Sequence, residues 1–202
     1  MIVTAIEDHG KTKKKVYLDG QFAFVLYNGE LSGCHIMEQR ELPEEVYERI
    51  MEEILWKRIR QRALFLLKDM DRTEYQLRQK LKGDLYPEKL IHRVVEWLYS
   101  YHYLDDERYA ENYVRCHVEK KSRRQMVQDL LQKGVEKQIA EAAVDTQETP
   151  NEEVLIRKWI EKKKIDPENA STKDLQKLYG FLLRKGFSPS EVSRVLKGME
   201  EF

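Results

Sequence analysis

The sequence predicts a mainly α-helical chain: a tandem array of three three-helix repeats, preceded by a small antiparallel β-sheet and a long linking helix. Three observations lead there. A phrase made of a polar start, an amphipathic run ending in Leu, a basic glycine-containing turn and a second apolar helix occurs three times. Its spacing of roughly 50 residues is that of a repeat architecture, in which each unit buries a face against its neighbour. Helix formers dominate a chain of 202 residues with nine glycines and five prolines. Only the first 40 or so residues carry β-patterning.

The β-rich segment, residues 1–42, centres on Asp19-Gly20. Asp-Gly between the runs Lys15 to Leu18 and Gln21 to Leu26 is a strong hairpin signal. Ile2 to Glu7 is a third strand, joined through the polar, lysine-rich stretch His9 to Lys15. Three short strands are marginal alone, so this sheet must pack on a helix.

Residues 43–62 form the linker. Pro43 suits a first helical position, and Glu44 and Glu45 suit the positive end of the helix dipole. Val46, Ile50, Ile54, Leu55, Ile59, Ala63, Leu64 and Leu67 step at helical spacing, and no breaker interrupts Glu44 to Lys68. One long helix, or two with a bend, is expected.

The repeats follow at residues 63–104, 105–149 and 150–202. In the first, Thr73 to Leu81 leads through Lys82-Gly83-Asp84-Leu85 into Pro87 to Val95. The second has Ser122 to Leu131, Gln132-Lys133-Gly134-Val135, then Glu136 to Val144. The third has Ser171 to Leu183, Arg184-Lys185-Gly186-Phe187, then Pro189 to Leu196. Aligned on Leu81, Leu131 and Leu183, the copies place Leu85, Val135 and Phe187 in register. Thr73 with Gln76 and Ser122 with Gln125 read as capping boxes, and Ser188-Pro189-Ser190-Glu191 is a full start signal. Gly134 and Gly186 fall just past a helix end, where a left-handed residue is wanted. The first copy has Asp84 there instead, and Asp tolerates that conformation better than most.

Composition excludes several classes. Apolar residues make up 41% of the chain, enough for a core, so global disorder is not expected. Mean hydropathy is −0.71, and no stretch approaches the 18 or so apolar residues of a membrane span. The N-terminus lacks the basic-then-apolar order of a signal peptide, so the cytoplasm is the expected location. With 36 basic and 36 acidic residues, global charge gives no argument for nucleic-acid binding. Cys34 and Cys116 suggest no disulfide framework. Each precedes a histidine, His35 and His117, but no ligand spacing supports a zinc site.

No phosphate-cradling glycine loop and no nucleophile motif is present. Asp105 and Asp106 could hold a metal, but they open a helix, where an Asp cap and early acids are expected anyway. No cofactor and no enzymatic activity are therefore expected. Trp97, Tyr99, Tyr101, Tyr103, Tyr109 and Tyr113 allow two readings: a platform for stacking bases, or the core where consecutive repeats meet. Helical spacing favours the core, and Trp159 fits the same role in the third repeat.

The basic runs are the best functional candidates. Lys120-Lys121-Ser122-Arg123-Arg124 spans a helix–helix turn, and Lys162-Lys163-Lys164 closes a helix at a similar place in the next repeat. Lysines at helix ends also arise from plain helix electrostatics. Their recurrence points to a patch tracking along the array, suited to a linear charged partner.

Several stretches together resemble the bacterial RecX proteins, regulators of the RecA recombinase. They are Ile2 to Glu7 with Tyr17 to Phe24, Arg72 to Leu81, Tyr103-Leu104-Asp105-Asp106 continuing to Tyr113, and Leu131 to Val135. The resemblance covers essentially the whole chain. It departs at His102, where the family commonly has glycine, and at Lys120 to Arg124, which lacks the glycine common before the second repeat's middle helix. Both departures bear on turn geometry. The resemblance implies a curved array of three-helix units bound in the groove of the RecA–DNA filament. Acting as a monomer there, it would reduce ATPase, strand-exchange and co-protease activities. Single- or double-stranded DNA is the alternative partner, and no membrane is involved. The residues expected at the contact are Arg72 and Lys80 in the first repeat, Lys120, Lys121, Arg123, Arg124 and Lys133 in the second, and Lys162, Lys163, Lys164, Arg184 and Lys185 in the third.

Overall fold

The computed structural model describes residues 1–148, 150–167 and 169–198. The chain forms two compact units, Met1–Asp105 and Asp106–Phe202.

The first unit begins with strands β1 (Val3–His9), β2 (Lys13–Leu18) and β3 (Gln21–Tyr27), antiparallel in the order β1-β2-β3. Asp19 and Gly20 both take positive φ, 48° and 81°, the mirror-image turn whose twist matches a two-residue hairpin. Val3, Val16, Leu18, Phe24 and Leu26 are buried. A short helix, α1 (Asn28–Gly33), follows β3, and the sequence gives no sign of it. It buries no residue, so it has no apolar period to read; the Glu30 carboxylate closes it by accepting from the Tyr27 N–H at 2.8 Å.

The linker is helical throughout but not uniformly α. Helix α2 (Glu44–Arg49), capped by Pro43 rather than containing it, passes into a π-helical stretch, Ile50–Leu55, and then into α3 (Trp56–Lys68). Ile50 and Leu55 lie five apart and both are buried. A π turn closes i to i+5, so it places both on one side and rephases the helix for Ile59 and Ala63. Helices α4 (Glu74–Gly83) and α5 (Glu88–Ser100) complete the unit. Sheet, linker and these helices share one core, in which Phe24, Ile50, Ile59, Leu77, Leu81, Ile91 and Leu98 are buried together. The sheet thus gains the helical partner that three strands require.

The second unit holds α6 (Asp106–His117), α7 (Arg123–Gln132), α8 (Lys137–Asp145), α9 (Glu152–Lys163), α10 (Thr172–Arg184) and α11 (Pro189–Lys197). It has two separate cores rather than one continuous seam. One collects Ala110, Val114, Met126, Leu130, Val135 and Ala140; the other collects Leu155, Ile156, Ile160, Leu182, Phe187 and Val192.

Burial corrects the alignment of the copies. The equivalent leucines are Leu81, Leu130 and Leu182, all fully buried, whereas Leu131 is exposed. From each, the second following helix cap lies six residues on, at Pro87, Glu136 and Ser188. The left-handed position is then Leu85, Gly134 and Gly186, with φ of 63°, 84° and 87°. Asp84, expected to be left-handed, has φ of −80°. Tyr86, not Leu85, corresponds to Val135 and Phe187: their amides donate to Leu81, Leu130 and Leu182 in turn. Thr73 makes the full capping box. Ser122 makes half of it, because the Gln125 side chain donates to Asp129 at 2.7 Å instead. His102, standing where glycine is common, takes φ of 55° and closes α5 as a glycine would: the His102 N–H donates to Tyr99 and the Tyr103 N–H to Leu98.

The second and third repeats meet through the turn at Gly186. The Ser122 hydroxyl donates to the Lys185 carbonyl at 3.3 Å. A Cβ on Gly186 would lie 2.5 Å from Ser122 Oγ and 2.7 Å from Gln125 Cβ, so close approach and backbone conformation both demand glycine. Beside this contact, Glu152 at the start of α9 meets Glu191 of α11. Burial and the hydrogen-bonded neighbour Glu191 push the Glu152 carboxyl up to about 7, although the Arg123 backbone N–H and charge oppose the shift. Glu191 moves down, held ionised mainly by the hydrogen bond from Glu152 and by Ser188. The pair shares one proton, as adjacent carboxyls do.

Two outcomes follow for stability. Gly186→Ala should destabilise by about 2–4 kcal/mol in denaturant unfolding, from the left-handed strain and the clash. His102→Gly should stabilise by up to about 1 kcal/mol, since it relieves strain at a site of the same backbone class. The carboxyl pair sets a pH dependence. Glu152 binds its proton more tightly folded than unfolded, so its contribution is favourable at low pH and is lost as pH rises from the ordinary glutamate range through about 7. Glu152→Gln, which mimics the protonated acid, should raise Tm above wild type at pH 8 and leave the two nearly equal only below the ordinary glutamate range, at about pH 4. Equal Tm values at pH 8 would show that the pair carries no strain.

A candidate basic interface

The twelve expected contact residues separate into distinct environments. Arg72 is structural: its Nε donates to the Leu66 carbonyl at 3.0 Å and closes the end of α3. Lys80 is exposed on α4. Both belong to the first unit.

In the second repeat, the run Lys120 to Arg124 is not a uniform patch. The Lys121 ammonium donates to Asp129 at 2.6 Å and to the Tyr113 hydroxyl at 2.8 Å, and Tyr113 in turn donates to Asp129 at 2.7 Å. Burial pulls the Lys121 pKa down, but these hydrogen bonds outweigh it and the net shift is upward. Burial likewise pushes Asp129 up, and its bonds from Lys121, Tyr113 and Gln125 bring it below the usual carboxylate range. This triad is sequence-local only in part, since Asp129 lies two helical turns beyond Lys121. Lys133 sits with its ammonium 5.6 Å from the Tyr113 ring centre, on the same structural cluster. Arg123 pairs with Asp145 at the end of α8. Lys120 and Arg124 are exposed.

In the third repeat the cations converge. Trp159 on α9 and Phe181 on α10 pack edge to face, with ring centres 5.3 Å apart. Lys162 and Lys185 lie 4.9 and 4.7 Å from the Trp159 ring centre, and Lys163 lies 4.4 Å from that of Phe181. The i+3 step from Trp159 to Lys162 follows the helix face; Lys185 arrives from the turn after α10. Trp159 Nε1 donates to the Lys120 carbonyl at 3.0 Å, which brings the turn before α7 to the same place. The structure therefore unites the ammonium groups of Lys162, Lys163 and Lys185, and the backbone of Lys120, around one aromatic pair where the second and third repeats meet. Trp159 does lie at a repeat junction. Lys164 instead caps α9 in the left-handed conformation, φ 53°, and Arg184 is exposed on α10.

Cations over aromatic faces are held at modest cost, because the aliphatic stems cover apolar surface while the heads stay in water. Such a cluster can bind polyanions or acidic protein surfaces. Among the described residues no three His, Cys, Asp or Glu side chains converge as a metal site. Asp106 and Glu107 lie in the first turn of α6, and His117 stacks on Tyr113 with Nδ1 2.7 Å from its carbonyl oxygen. Both cysteines are free thiols. Among the described residues no helix is long and apolar enough to cross a membrane.

Sequence reading missed a second cationic surface, in the first unit. His9, Lys13 and Tyr27 form one row across the sheet, Arg58 lies 4.7 Å from the Tyr27 ring centre, and Arg62 pairs with Asp84, along a groove of about 560 Å³. The i, i+4 spacing of Arg58 and Arg62 was its available signal. Only the fold could reveal that this helix face meets β3, where Arg58 donates to the Val25 carbonyl at 3.1 Å.

These features agree with comparisons to known proteins. Models of the first, second and third three-helix domains of RecX match residues 60–98, 105–144 and 151–196. The regulatory protein RecX of Clostridium acetobutylicum is 31% identical over 96% of this chain and 94% of its own length. That of Caldanaerobacter subterraneus subsp. tengcongensis is 32% identical over 97% of this chain and 98% of its own. A crystal structure of regulatory protein RecX superimposes with a TM-score of 0.63 at 26% identity, covering 96% of this chain and 98% of that one. Three matched helical units in order, and relatives aligned almost end to end, show that the chain belongs to the RecX family.

Proposed function

We propose that the chain is a non-enzymatic regulator of RecA, acting as an inhibitor. It binds in the groove of the RecA–DNA filament and restrains its ATPase, strand-exchange and co-protease activities. Family membership supports the choice of partner. The observation that supports the placement is the convergence of the Lys162, Lys163 and Lys185 ammonium groups on the Trp159–Phe181 pair, with the exposed Lys120 held there by its carbonyl, which makes a preorganised cationic surface from two repeats. Lys121, Arg123 and Lys133 are engaged within the second repeat, by Asp129, by Asp145 and by the Tyr113 ring in turn.

The triple variant Lys120→Glu, Lys162→Glu, Lys163→Glu should weaken inhibition of RecA ATPase by about tenfold or more at low salt, with helicity unchanged. Unimpaired inhibition by that variant would remove the cluster from the interface. The arrangement of cations also favours a second reading, direct DNA binding by the same lysines. In that case, the log of duplex affinity should fall with log salt by about 0.9 for each phosphate neutralised.

A further inference from the structure

An exposed aromatic platform lies in the first unit. Tyr101 and Tyr103 flank the left-handed His102, and the closing turn of α5 fixes both. They are 62% and 51% exposed, so they do not fill a core. Their rings lie nearly parallel, at 21° with centres 6.4 Å apart, and each packs on Trp97, at 5.3 and 6.1 Å. Trp97 meets Trp56 edge to face, and the indoles anchor the platform to the buried core.

One cation completes the arrangement. The Arg60 guanidinium lies 5.3 Å from the Trp56 ring centre and 5.6 Å from that of Trp97. Among the described residues it has no carboxylate partner, and its buried Nε–H has no hydrogen-bond acceptor. Arg58, Arg62 and Arg93 on or facing the same helix are each paired with an acid. Arg60 alone keeps its charge available beside the rings.

We infer that Tyr101, Tyr103 and Arg60 form a binding site for unpaired nucleotides of single-stranded nucleic acid. The two tyrosines offer π-faces to successive bases, and Arg60 meets a backbone phosphate. Stacking on exposed aromatics next to a cation is how such strands are held without sequence preference, and each stacked base contributes about 1–3 kcal/mol. Paired bases keep their faces inside the duplex, so the site discriminates against double strands. It does not depend on the lysine cluster or on contact with RecA.

The test uses the full chain and a fluorescein-labelled oligothymidylate, followed by fluorescence anisotropy. Y101A/Y103A should weaken binding about tenfold or more, while Y101F/Y103F, which keeps the rings, should stay within about twofold of wild type. Circular dichroism and Tm confirm that both variants fold. Arg60→Met should reduce the slope of log affinity against log salt by about 0.7, one phosphate on a single strand. The proposal is overturned if wild type shows no binding to the oligonucleotide, if the alanine pair binds as wild type does, or if the phenylalanine pair loses as much as the alanine pair. Association with RecA filaments, measured on the same variants, separates this site from the proposed regulation. Loss of filament association with oligonucleotide binding intact would assign the tyrosines to a protein contact and also overturn it.

Discussion

The seat of Gly186 on the start of α7 is the contact on which the basic surface depends. Because residue 186 has no Cβ, the turn after α10 can lie against Ser122 and Gln125 and accept a hydrogen bond at the Lys185 carbonyl. That seat fixes Lys185 above Trp159, and Trp159 in turn holds the Lys120 carbonyl. Two turns from different repeats are thereby locked into one surface by backbone groups, not by the mobile ends of lysines. Long cationic side chains lose conformational entropy when ordered, so a site made of them gains most when the rest of its frame is already rigid.

The same junction carries opposing electrostatics. Glu152 opens α9 and Glu191 lies in the first turn of α11, both where helix dipoles favour negative charge. Bringing them together costs one ionisation, and the proton they share is retained to about pH 7. The Arg123 backbone N–H stabilises the charge that remains, while the Arg123 side chain pairs with Asp145 at the far end of the second repeat. The acids that offset part of the local positive charge thus lie inside the junction, and the lysines face outward.

Caps and turns were legible in the sequence because their chemistry is local. Thr73, Ser122, Ser171 and Ser188 all accept from the amide three residues on. Gly134 and Gly186 take the left-handed positions expected of them. The register between copies was not legible, since Leu130-Leu131 and Leu182-Leu183 offer two candidates one residue apart and only packing chooses between them. The π-helical stretch escaped for a related reason: Ile50, Ile54 and Leu55 fit an α period nearly as well as the five-residue step. Nor could sequence sort the basic residues. Lys120 and Lys121 are neighbours, but Lys121 points to Asp129 and Tyr113 while Lys120 stays exposed, a difference set by their directions around one turn. The aromatic run before Asp105 divided in the same way: Leu98 and Leu104 took the core, and Tyr101 and Tyr103 were left at the surface.

The three left-handed turn positions show why the copies diverged. At Gly186 the neighbouring helix start would meet a Cβ, so a side chain is excluded by contact as well as by φ. At Leu85 the same backbone conformation holds a leucine, at a cost of about 1–2 kcal/mol, and its side chain lines the groove with Tyr86 and Arg62. A residue accepts that strain only when its side chain is used or when nothing approaches its backbone. Glycine in the third copy is therefore the mark of a docked neighbour, and leucine in the first is the mark of a turn whose side chain shapes a surface. His102, left-handed between two exposed tyrosines, follows the logic of Leu85: the turn it strains is the one that aims the platform.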